Sequence, residues 1–388
     1  MIKTYKNYIL LALIALLTTM LLWSPFFLRL ETFWGINLPQ DGMATVVANF
    51  DGPYYIVAAK TLYDPVKIDQ NFPFSLPPIY YSAHYPLFPL LIRAVVIVLP
   101  FLGYIYSMLF VSVISGILAV LMFYILLNDL GLKKQSFYLA TLFTIFPARW
   151  FVVRSVGSPE PLFILFIIAS IYFFRNKRWW LAAITGALAQ LTKSPGILIF
   201  VAYVIALIVP YWSSLATTNT SLWFKKLHWR AYPILLIPLA LLGIFAFYGA
   251  QYGNFLAYFG SGNNIHLTFP PFQAFNPSQA WVGTFWLEEI IWLYLFGVMG
   301  FAYLVKQKSP ELATFVGVFF LSILFVAHRD IARYALPIVP FVLVAFSNTL
   351  SSKEFKFVAA LLVIPIFLFS IAFIANNVTP IADWGPLL

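Results

Sequence analysis

The sequence predicts an all-α polytopic membrane protein, and three observations carry that prediction. Of 388 residues, 62% are hydrophobic and only 9% are charged, whereas soluble domains carry about 25% charged residues. The apolar residues gather into runs suited to membrane-crossing helices of about 20 residues. Lysine and arginine are shared unequally between the loops that join those runs. The net charge of +10 therefore reports topology. The basic residues form no stripe along one face, which argues against a nucleic-acid partner. Cysteine is absent, so there is neither a disulfide framework nor a thiolate metal site.

Lys3 and Lys6 precede an apolar run over 9–22 that resembles a signal peptide. The run is long for that role and no small-residue cleavage site follows. Trp23-Ser24-Pro25 instead reads as the interfacial end of a retained helix. Spans are expected at 7–28, 104–127, 136–152, 159–175, 180–192, 195–212, 231–250, 284–305, 311–327, 334–350 and 356–376, eleven in all. The run 86–102 opens with two prolines and carries Arg93, and is read as an interfacial helix that does not cross. With the N-terminus in the cytoplasm, the cytoplasmic loops then hold 14 basic and three acidic residues, +11 against −1 on the other side. If 86–102 crossed, later loops would change sides and most of this bias would vanish. Trp23, Trp150, Trp179, Trp180, Trp212, Trp229 and Trp286 all fall near expected span ends, where an aromatic belt lies.

The long loops, 29–103 and 251–283, fall on the extracytoplasmic side; the only sizeable cytoplasmic loop is 213–230. No internal repeat or separate soluble domain is visible, so residues 1–388 read as one membrane domain. The first long loop contains Glu31, Asp41, Asp51, Asp64 and Asp69, five of the thirteen acidic residues, and the last four lie in or just before 49–89. The second has no formal charge and is rich in Gly, Asn, Pro and aromatics, a composition suited to covering a sugar or lipid. Arg93, Arg149, Arg154, Lys193, Arg329 and Arg333 lie outside against the charge rule. An ionised group beside an apolar segment is costly unless paired or solvated. The set is therefore a candidate for binding an anion, with snorkelling to the interface as the alternative.

Asp51 sits in FDGPYY, where Gly-Pro leaves the carboxylate at a loop or helix end. A carboxylate in a partly dry cleft suits a general base; a lone Asp-Gly is also a common turn or N-cap. Glu160 follows Ser158-Pro159 and reads either as a ligand or cation partner or as a helix first-turn carboxylate. His84, in AHYPLFP, reads as a donor to a ligand or as a cap. His266 and His328 are less informative. The four histidines have no metal-ligand spacing. No cofactor is required by the sequence; a divalent cation shared by Asp51 and a second carboxylate stays open.

FDGPYYIVAAKTLYD followed by AHYPLFPLLIRA resembles the second mannosyltransferase of GPI-anchor synthesis (the PIG-V-like family) and its bacterial relatives, within the GT-C superfamily. That family shows a Trp-Asp, then an aromatic and Ile-Ala, then Phe-Pro-Leu-x-Pro. The order of further motifs is similar: Ser158-Pro159-Glu160, then Thr192-Lys193-Ser194-Pro195-Gly196, then Arg333-Tyr334 before Pro337. The resemblance covers about 49–340. Phe50 replaces the family's Trp, Lys193 stands where Arg is common, and Pro159 interrupts the Ser-x-Glu. The resemblance implies a GT-C fold and a glycosyltransferase that moves a sugar, mannose, from a polyprenyl-phosphate donor to a lipid-linked or other acceptor on the extracytoplasmic face, with inversion. Asp51 would be the base, Lys193, Arg329 and Arg333 phosphate ligands, and Tyr54, His84 and Glu160 substrate contacts. The membrane would be a bacterial plasma membrane or an endoplasmic reticulum. The absence of D-x-D, G-x-G-x-x-G and P-loop motifs fits a donor that is not a nucleotide sugar. The alternatives are a transporter or flippase of an anionic lipid, and a non-catalytic subunit of such an enzyme.

Overall fold

The computed structural model describes residues 2–72, 74, 76–209, 229–282 and 288–388. It is a helical protein whose chain divides into two compact units. The first unit contains residues 1–165, 243–265 and 347–388; the second contains 166–242 and 266–346.

The first unit begins with α1 (Ile2–Phe27), an apolar helix with its only proline in the last turn. Chain reversal after it uses a two-residue turn, Trp34-Gly35, with φ of 52° and 78°, between β1 (Thr32–Phe33) and β2 (Ile36–Asn37). This is the positive-φ pair that short hairpins require. Four short helices follow: α2 (Met43–Val47), α3 (Gly52–Thr61), α4 (Pro65–Asn71) and α5 (Leu87–Val98). The twelve residues of α5 extend about 18 Å, shorter than the hydrocarbon core of a bilayer of about 30 Å. Next come α6 (Gly103–Asp129), α7 (Ser136–Ile145) and α8 (Ala148–Val153). The expected single span over 136–152 is thus two helices. Pro147 has no N–H to continue the ladder, and Phe146 before it is extended. Helix α1 packs on α6 and α7. The buried Trp150 stacks on Phe143, with centroids 4.8 Å apart, and its indole N–H donates to the Phe143 carbonyl.

The chain leaves the first unit along α9 (Glu160–Arg175) and enters the second, where α10 (Trp179–Thr192) and α11 (Ile197–Ile208) are separated by a 3₁₀ turn at Ser194–Gly196. Ser170 fixes their packing by donating to the Ala182 carbonyl and pairing with the Tyr203 hydroxyl. Helix α12 (Leu236–Tyr252) returns the chain to the first unit. In the second unit, α13 (Glu288–Lys306) and α14 (Pro310–Ile323) pack closely; a Cβ on Gly297 would sit 2.4 Å from the Phe320 ring. The expected span 334–350 is broken into α15 (Ile331–Tyr334), a 3₁₀ turn, α16 (Val339–Ala345) and α17 (Ser347–Leu350), with Pro337 and Pro340 at the breaks. The final helix, α18 (Lys353–Asn376), belongs to the first unit and packs on α8.

Among the described residues, five helical stretches are long and apolar enough to cross a membrane: Tyr5–Phe27, Pro100–Asp129, Trp229–Tyr252, Glu288–Lys306 and Lys353–Asn376. The chain is an integral membrane protein. Most of the expected cytoplasmic loop 213–230, with His228, lies outside the described residues.

Candidate active site

Asp51 stands on a loop whose shape is imposed by distant chain. Asn49 is fully buried, and its amide donates to the carbonyls of Thr45 (2.8 Å) and Ile374 (3.0 Å). Thr379 donates its backbone N–H to the Ala48 carbonyl and its hydroxyl to the Phe50 carbonyl, both at 2.7 Å. The end of α18 thereby clamps the residues before Asp51. Phe50 is held at φ 50°, in the left-handed region, which is uncommon for a side chain of its size. Gly52 is required by close approach. A Cβ there would lie 2.6 Å from the Val47 carbonyl oxygen and 3.2 Å from that of Gly157.

Asp51 occupies the N-cap position of α3, yet its carboxylate makes no capping hydrogen bond. The backbone of Asp51 does lie in the turn at the helix start, where its carbonyl accepts from the N–H of Tyr55. The Asp51 charge also reaches two nearby tyrosines. Burial, and then the Asp51 charge, push the Tyr54 hydroxyl above its ordinary pKa. Tyr80 is raised by the same two causes and further by Tyr54, while a hydrogen bond from Asn264 opposes them. Both hydroxyls thus stay protonated, as neutral donors, well above neutral pH. Tyr54 packs edge-on against Tyr80 (5.6 Å), Tyr81 (6.1 Å) and His84 (5.9 Å). His84 is almost fully buried; its ring meets Tyr55 at 4.7 Å, and Tyr63 donates to its carbonyl. The structure thus brings Asp51, Tyr54 and His84 together.

Glu160 opens α9 and is buried. The Ser158 hydroxyl donates to its carboxylate. Ser158 is itself held by Ser112 of α6, which bonds both its N–H and its carbonyl at 3.0 Å. Because the Gly157 carbonyl abuts Gly52, the segment carrying Glu160 borders the Asp51 loop.

The six cations singled out in the sequence separate into distinct roles. Arg154 is not available to a ligand: fully buried, it donates to the carbonyls of Thr144 and Ala15 and to the hydroxyls of Thr18 and Thr19. Arg93 donates to the carbonyls of Ala59 and Lys60, closing the C-terminal end of α3. Arg149 lies 3.8 Å over the ring of Phe373, which in turn packs on Phe50 at 5.5 Å.

Lys193, Arg329 and Arg333 belong to the second unit. Lys193 is half-buried and ends α10, in extended backbone before Ser194–Gly196. Arg329 is exposed and Arg333 half-buried, on a turn that residues 266–272 hold in place. Thr268 and Phe272 donate to the carbonyls of Phe325 and Leu324, and Ala327 donates to that of His266. This pairing brings the His266 ring 4.5 Å from His328, with Trp281 and Tyr334 at 6.1 and 5.5 Å from His328.

Sequence reasoning missed Tyr80, Tyr81 and Asn264 and the His266–His328 contact. The first two were signalled only by their spacing before His84. Asn264, His266 and Trp281 lie in the uncharged loop, where composition suggested a cover but singled out no residue. Among the described residues, no group of three or more His, Asp or Glu is disposed to hold a metal ion.

No curated protein matches the chain. The sequence profile of the dolichyl-phosphate-mannose-protein mannosyltransferase family matches residues 94–259. Among solved structures, the chain is similar to the archaeal oligosaccharyltransferase AglB from Archaeoglobus fulgidus, in complex with an inhibitory peptide and a dolichol-phosphate. The TM-score is 0.53 at 16% identity, covering 98% of this chain and 57% of that one. The A. fulgidus oligosaccharyltransferase tethered to an acceptor peptide with the NVT sequon gives 0.55 at 16% identity, over 97% and 56%. Its apo form gives 0.53 at 15%, over 98% and 57%. The chain thus spans a little over half the length of these structures, and the likeness is one of fold. The resemblance read from the motifs and these matches meet at the level of the GT-C fold, a coarser level than the PIG-V-like family.

Proposed function

We propose that the chain is a membrane glycosyltransferase that moves a sugar, mannose in the first instance, from a polyprenyl-phosphate donor to a lipid-linked or other acceptor on the extracytoplasmic face. The observation that carries the reading is Asp51: a half-buried carboxylate at a helix start that takes no part in capping, on a loop fixed by the far end of the chain. In the proposed reaction the acceptor hydroxyl oxygen attacks the anomeric carbon and gives its proton to Asp51. The bond from the anomeric carbon to the phosphate oxygen breaks with inversion, and its electron pair leaves on the polyprenyl phosphate. Lys193, Arg329 and Arg333 are the proposed ligands of that phosphate, the arginines by paired hydrogen bonds. Tyr54 and His84 line the Asp51 side, and Glu160 orients the acceptor. The family profile over 94–259 and the likeness to a protein solved with a dolichol-phosphate support a lipid-phosphate donor. The eleven-span topology with a cytoplasmic N-terminus belongs to the same proposal.

The test is transfer from radiolabelled polyprenyl-phosphate mannose by the purified chain, wild type beside Asp51→Asn, with and without chelator. Transfer or donor breakdown by wild type and its loss in Asp51→Asn is the expected result. Full activity in a correctly inserted Asp51→Asn protein overturns the assignment of the base. Donor binding without consumption in either protein favours a transporter or a non-catalytic subunit.

A further inference from the structure

A second site stands apart from this chemistry. The C-terminal end of α3, helix α4 and residues 385–386 border an open surface cleft of about 400 Å³, lined by Lys60, Thr61, Lys67, Asn71, Phe72 and the Gly385-Pro386 pair. Lys60 is half-buried in its wall and lies 5.2 Å over the Tyr104 ring. The Pro386 carbonyl takes one of the three ammonium protons, at 2.7 Å. Among the described residues no carboxylate pairs with Lys60. Burial lowers its pKa, the cost of holding an ammonium with so little compensation. The negative end of α3 does not account for it, because Arg93 already bonds the carbonyls of Ala59 and Lys60. Lys67, exposed at the cleft rim, pairs with Asp64 at 3.2 Å. Lys60, Lys67 and Arg93 thus gather here with Asp64, which pairs with Lys67, and with Asp383, which accepts from the N–H of Gly385 in the same wall.

Near it, the described residues leave an apolar surface exposed. Helix α5 packs on α3 and α6, and presents Leu90, Ile97 and Val98, followed by Phe101, which is 81% exposed. Tyr104, beneath Lys60, is in the first turn of α6, a helix long enough to cross the bilayer. A cation next to an apolar helix face at the start of a spanning helix is placed as a lipid headgroup requires.

We propose that this cleft binds the phosphate of an anionic phospholipid, with Lys60 and Lys67 as its ligands and the acyl chains along α5. The proposal is independent of the transferase reading. Its test is native mass spectrometry of the full chain in neutral detergent, with phosphatidylglycerol, phosphatidylcholine or inorganic phosphate added in separate arms. Wild type is expected to retain phosphatidylglycerol in preference to phosphatidylcholine. Lys60→Gln/Lys67→Gln lowers phosphatidylglycerol occupancy at least fivefold and leaves phosphatidylcholine unchanged, and Lys60→Arg/Lys67→Arg restores it. Lys67→Gln alone, at an exposed position where folding is not at risk, lowers occupancy by a smaller factor. Equal phosphatidylglycerol occupancy in wild type and the double Gln variant overturns the site. Displacement of phosphatidylglycerol by millimolar inorganic phosphate overturns the assignment to a lipid and leaves a site for a free anion.

Discussion

Helices α3 and α4 both begin after an aspartate and both carry a proline in their first turn, yet the two carboxylates behave differently. Asp64 caps α4: it accepts from the N–H groups of Val66 (3.0 Å) and Lys67 (3.3 Å) and pairs with the Lys67 side chain. Asp51 makes no such bond at α3. The position of the proline gives the reason. In α4 it is at N1, where its missing N–H is not needed, and the N–H groups of N2 and N3 remain for the cap. In α3, Pro53 is at N2 and removes one of those donors. The backbone agrees: Asp64 is extended (φ −65°, ψ 114°), as a capping residue should be, whereas Asp51 is not (φ −94°, ψ 14°). An aspartate whose bonds are all local is explained by its helix. Asp51 sits on a loop fixed through Ala48, Asn49 and Phe50, and its side chain does not cap its own helix, which is compatible with the proposed general base.

The sharpest test of this contrast compares Asp51→Asn with Asp64→Asn. Asp51→Asn is expected to lower transfer by about 10²–10⁴-fold, the contribution of a positioned base, without the loss of a capping bond. Asp64→Asn is expected to leave transfer unchanged, since Asn caps about as well as Asp. A fall in melting temperature for Asp51→Asn equal to that of a capping variant would break the contrast.

The same reasoning divides the cations. Arg154 has every bond directed to protein, whereas Arg329 is exposed. Arg154→Leu is expected to destabilise by about 3 kcal/mol, as buried carbonyls and hydroxyls lose their donor, with a matching drop in thermal midpoint in detergent. Arg329→Gln should leave that midpoint in place and weaken donor binding. Gly52→Ala comes next, at about 1–3 kcal/mol for overpacking. Because the new methyl group would press on the Val47 and Gly157 carbonyls beside Asp51, transfer should fall further than stability does. Equal losses of the two would make Gly52 a packing residue only.

Much of this architecture was legible because apolar runs leave helices little choice: the runs at 7–28, 104–127 and 356–376 became α1, α6 and α18. The breaks were harder to see. Pro147, Pro337 and Pro340 are plain in the sequence, but hydrophobicity alone does not distinguish a kinked span from two short helices. The role of Arg154 could not be read, because Thr18 and Thr19 are more than 130 residues away in sequence. The clamp on Asp51 was hidden for the same reason, since Asn49 and Ile374 are 325 residues apart. By contrast, the place of Asp51 at a helix start was legible, because a Gly-Pro after an aspartate restricts what the helix can do with it.

The smallest expected effect tests the capping half of the comparison. The carboxyl of Asp64 is held below its ordinary value first by the Lys67 N–H, then by the Lys67 side chain and the Val66 N–H. A carboxyl lowered in the folded state adds stability above its unfolded value, 3.8, and that stability is lost as the pH falls through the folded value. Asp64→Ala should therefore melt slightly below wild type at neutral pH, and the two curves should converge on acidification below pH 3.8. Transfer at neutral pH should be unaffected. A gap that persists in acid would mean that Asp64 acts through packing rather than through its charge, and the contrast with Asp51 would then rest on geometry alone.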